Sequence, residues 1–77
     1  MSLAYYTVTP EPSRFPKAYI TRVFRETQDD NVVCVQTVNF PIRNPSLPNK
    51  TQNEAEAYGR MLVNKIMNAY VARVGGL

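Results

Sequence analysis

The hydrophobic positions of this chain fall into four runs separated by polar or proline-rich stretches. Residues 4–9 (AYYTVT), 18–27 (AYITRVFRET) and 32–40 (VVCVQTVNF) combine β-branched and aromatic side chains, which predicts three strands. Pro10, Pro12 and Pro16 follow the first run; they donate nothing to a ladder, so the first strand is expected to be loosely tethered. The stretch QDDN, residues 28–31, is a polar turn and makes the second and third strands an antiparallel hairpin. Residues 41–50 (PIRNPSLPNK) hold three prolines and two asparagines and read as a stiffened surface loop.

The fourth run has a helical period. Thr51 followed by Glu54 fits a capping box, Glu54 and Glu56 complement the positive end of a helix dipole, and Gly75 and Gly76 supply a stop, so the helix is expected over about 52–74. On a helical projection Tyr58, Ala55, Leu62, Ile66, Val63 and Met67 fall on one continuous arc with Ala69, Tyr70 and Val74. That arc spans roughly 180°, against the 100° or so that a helix needs to cover one sheet. The surplus predicts a second contact, with Val63, Met67, Val71 and Val74 turned toward another chain.

Together these runs predict one α+β domain over residues 1–77: a small three-stranded antiparallel sheet in β-β-β-α order, packed on one C-terminal helix. On the second strand, Ile20 and Phe24 are expected to form the core as the more apolar pair. Arg22 then lies at the core rim near Glu26. The outer face would carry Tyr19, Thr21, Val23 and Arg25 beside Val33, Val35 and Thr37. On the third strand, alternation sets Val32, Cys34, Gln36, Val38 and Phe40 against Val33, Val35, Thr37 and Asn39, so neither face is cleanly polar.

Length changes the energetic picture. A domain of 77 residues buries only about 60% of its unfolded surface, and a core of that size usually needs a supplement. Cys34 is the only cysteine and there is no histidine, so an intramolecular disulfide and a cysteine-histidine zinc site are excluded. Self-association is the supplement that remains. Cys34, between Val33 and Val35, is expected to be a buried small hydrophobe. No apolar run approaches the roughly 18 residues of a membrane span, and no charged-then-apolar leader opens the chain, so a soluble, cytoplasmic protein without metal or cofactor is expected.

Candidate chemistry is sparse. Without histidine the commonest general base is missing, no serine sits in a nucleophile-elbow setting, and Cys34 has no imidazole partner, so no enzymatic activity is expected. The leading expectation is a protein-interaction module, most simply a homo-oligomer. Its contacts would come either from the helix residues Tyr58, Val63, Met67, Tyr70, Val71 and Val74 or from the strand residues Tyr19, Val23, Val33 and Val35.

The alternative rests on charge. The net charge is +3, and residues 12–25 contain Arg14, Lys17, Arg22 and Arg25 without an acid. A sheet followed by a helix is an architecture that some DNA readers use. Here Tyr5, Tyr19 and Arg25 would form a face for bases, with Arg14, Lys17, Arg43 and Lys50 on phosphates.

Overall fold

The computed structural model describes residues 3–75, and their side chains as far as Ala69. Three strands, β1 (Ala4–Glu11), β2 (Ala18–Glu26) and β3 (Val32–Pro41), form one antiparallel sheet in the order β1-β2-β3, followed by α1 (Pro48–Gly75). The fold is α+β, with the helix laid on one face of an open sheet. The β2–β3 turn closes where the Thr27 amide donates to the Asn31 carbonyl at 2.7 Å. Asp30 takes the left-handed conformation there, at φ 63°, which aspartate tolerates better than most residues.

Two expectations about proline are corrected. β1 does not stop before its first proline: Pro10 pairs opposite Tyr19 and Glu11 opposite Ala18. Because β1 is an edge strand, the proline nitrogen can face outward without removing a ladder bond. Likewise the helix begins at Pro48, four residues before the expected start. A proline is tolerated in the first turn because its missing N–H would have had no intrahelical partner. Ahead of it, Asn44 makes a local turn, its side-chain oxygen accepting from the Ser46 amide at 3.0 Å. Thr51 is therefore not a cap but a buried residue inside the helix.

The core lies on the opposite face of β2 from the one expected. Tyr19, Thr21 and Val23 are buried beneath the helix, and Ile20 and Phe24 point the other way and are half-buried. On β1, register places Pro10, Val8 and Tyr6 beside them. The deciding feature is the helix surface, which meets the sheet through Thr51, Ala55 and Gly59, three small residues spaced one turn apart and all buried. Small side chains let the helix axis approach closely. Thr21, fully buried, donates from Oγ1 to the Ala55 carbonyl at 2.9 Å, and a Cβ on Gly59 would fall 2.6 Å from Cγ of Tyr6. Tyr58 meets Phe40 edge-on, with ring centroids 5.5 Å apart.

The helix runs mainly over β1 and β2 and only grazes β3. Its 28 residues extend about 42 Å, whereas strands of 8 to 10 residues span roughly 25–35 Å. No residue from 60 to 69 is buried. The result is a thin, long molecule of 50 × 22 × 12 Å with a radius of gyration of 14.8 Å, against about 11.5 Å for a compact domain of this length.

Candidate interaction surface

Among the described residues, none forms a second layer on the sheet face turned away from the helix. Ile20, Arg22, Phe24 and Glu26 of β2 share it, flanked in register by Thr9, Thr7 and Tyr5 of β1. Tyr5 stacks on Phe24 with ring centroids 5.1 Å apart and remains 47% exposed. Across β2, Phe24 is opposite Cys34, and Glu26 is opposite Val32. Tyr5, Phe24 and Cys34 thus form an apolar row across all three strands at the hairpin end. The middle of the face is polar, because the Arg22 guanidinium donates from Nη1 to Thr9 Oγ1 at 3.1 Å.

Arg22 therefore sits on the bare face instead of at the core rim near Glu26. Arg25 has the register of the helix side, between Ala4 and Val33, and is exposed.

Between Val23 and Phe24 the ladder is interrupted. Val23 is opposite Gln36 and Phe24 is opposite Cys34, leaving Val35 as an extra residue in β3. The bulge resets the alternation, so Val33 shares the helix side with Gln36, Val38 and Phe40, which simple two-residue spacing does not give. All residues from 32 to 37 are exposed. Cys34, expected to be buried, is an exposed free thiol whose Sγ lies 3.4 Å from the Gln36 carbonyl and 3.4 Å from Thr37 Oγ1. The helix covers β3 only near Phe40, which meets Tyr58, and leaves residues 32–37 uncovered.

Of the strand residues expected at a contact, Val33 and Val35 are exposed on β3, whereas Val23 is fully buried under the helix and Tyr19 keeps only 8% of its surface. On the helix, Tyr58 is occupied by Phe40, and Val63 and Met67 are half-buried. The side chains of Tyr70, Val71 and Val74 lie outside the described residues. Sequence reasoning missed Phe24 and Val32 as surface residues. The signal for them was the small-residue stripe 51, 55, 59, which fixes the face the helix covers.

No family model, curated protein or solved structure matches this chain. Among the described residues no helix is long and apolar enough to cross a membrane, and no group of three or more histidine, cysteine, aspartate or glutamate residues could hold a metal ion.

The basic residues divide between two ends. The β1–β2 connection carries Arg14 and Lys17, and the β3–α1 connection carries Arg43, with Lys50 in the first helical turns. The Ile42 amide ties the two connections together by donating to the Lys17 carbonyl at 2.8 Å. Between them opens a cleft of about 600 Å³ lined by Phe15, Tyr19, Ile42 and Pro45, and Phe15 is 85% exposed with φ 52°. A neighbouring cleft of about 420 Å³ includes Arg43, Lys50 and Glu54. Tyr5 and Arg25 lie at the other end, beside the β2–β3 turn, so the expected base-stacking and phosphate-binding sets do not converge.

Proposed function

We propose that this chain is a small, non-enzymatic protein-interaction module that works as a self-associated assembly. The observation that carries this reading is surface. The chain exposes 5815 Å², whereas a compact monomer of 8.8 kDa exposes about 4,800 Å². The excess of about 1,000 Å² is comparable to the roughly 800 Å² that each partner buries in a standard interface. Among the described residues the buried apolar side chains are few, Tyr19, Val23 and Ala55, which leaves a single copy short of core. A cytoplasmic setting would keep the exposed Cys34 thiol reduced. Light scattering across a hundredfold concentration range tests the reading: a mass above one chain is expected, and a single-chain mass throughout would discard it.

A second reading is favoured by the gathering of Arg14, Lys17, Arg43 and Lys50 at the proline-rich end around exposed Phe15. Four cations flanking an aromatic are suited to single-stranded nucleic acid, with phosphates on the cations and a base on the ring. Anisotropy with labelled oligonucleotides at about 50 and 200 mM salt tests it. Four neutralised phosphates give a log-log slope of about −3, and absence of binding at the lower salt removes this reading.

A further inference from the structure

We propose that two copies join by antiparallel pairing of β3 with β3, making one continuous six-stranded sheet with both helices on the same face; this rests on the self-association reading above. The two edges of the sheet differ. β1 ends in Pro10 and Glu11, a proline and a charge of the kind that protects an edge from pairing. β3 from Val32 to Phe40 has neither proline nor charge, and its open side presents backbone N–H and C=O groups on both sides of the bulge at Val35. Such an edge favours pairing with another strand.

The occupant is a second copy for three reasons. An antiparallel edge pair obeys a two-fold axis normal to the sheet, so one strand is its own complement. Residues 32–37 carry no charge to repel their own images, and they are the exposed part of β3. With the axis passing at Cys34, the row Tyr5, Phe24, Cys34 of one copy continues into the same row of the other, giving a single apolar strip across six strands. Face-to-face packing of two bare sheets is less suited, because it would bury the Arg22 guanidinium, whose one partner among the described residues is the Thr9 hydroxyl.

Amide exchange followed by NMR, with mass recorded in the same samples, tests the pairing on the unmodified chain. In the dimer, the outward-facing amides of residues 32–37 are expected to exchange at least about tenfold more slowly than in dilute, dissociated protein. Val33→Glu sets like charges near the axis and removes nothing from the core, since Val33 is 40% exposed. It is expected to give a folded single chain at concentrations where the parent is dimeric. A dimer whose β3 amides exchange alike at both concentrations, or a Val33→Glu dimer as tight as the parent, overturns strand pairing and leaves self-association standing. A single-chain mass at every concentration overturns both and leaves the edge to a strand of a different protein.

Discussion

A methyl group at Gly59 would meet the root of the Tyr6 ring at 2.6 Å, where the ring cannot swing aside without moving its own backbone. Alanine favours a helix over glycine by about 1 kcal/mol, but overpacking costs about 1–3 kcal/mol. Gly59→Ala is therefore expected to lower stability by up to about 2 kcal/mol, read as an earlier urea midpoint at fixed protein concentration. Thr21→Val keeps the shape and removes the hydroxyl that bonds the Ala55 carbonyl. A loss of about 0.5–1.5 kcal/mol is expected in the same assay. Phe15 behaves differently. A bulky residue at φ 52° is strained by roughly 1–2 kcal/mol, and this one contributes little packing because it is 85% exposed. Phe15→Gly should leave stability unchanged or raise it slightly, and a loss above about 1 kcal/mol would mean that the ring packs in the folded state.

At the level of elements, the three strands and the helix were legible in the sequence because each has a strong compositional signature. The phase of the elements was not. β2 alternates Tyr19, Thr21 and Val23 with Ile20, Arg22 and Phe24, and either set could face a helix. The choice depends on a surface some 30 residues away along the chain, where the small side chains of Thr51, Ala55 and Gly59 admit close approach. Thr51 looked like a cap because a hydroxyl three residues before Glu54 serves equally as a cap or as a small buried contact. The alternation of β3 misled for another reason, since Val35 is an extra residue and period-two counting changes face across it. A direct check is to delete residues singly. Removing Val35 regularises the strand and should cost less than about 1 kcal/mol, whereas removing Val38 slips part of the strand onto the wrong face and should cost several times more by urea denaturation.

For the whole molecule, thinness governs behaviour. A slab 12 Å deep has no interior beyond one contact layer, so a single copy has little core to draw stability from. In the proposed dimer, folding coupled to association makes the melting temperature depend on concentration. A tenfold increase in protein should raise it by about 4 °C in calorimetry, and an invariant midpoint would argue for a monomer that is stable alone. The Gly59 notch has one more consequence, for motion along the helix axis. A slide of one turn, about 5.4 Å, would bring the Ala55 methyl or the Val63 isopropyl group over Tyr6, where only a bare Cα fits. Gly59 thus works as a detent, indexing the helix to a single position along the sheet and holding the far end of that long rod at a fixed reach.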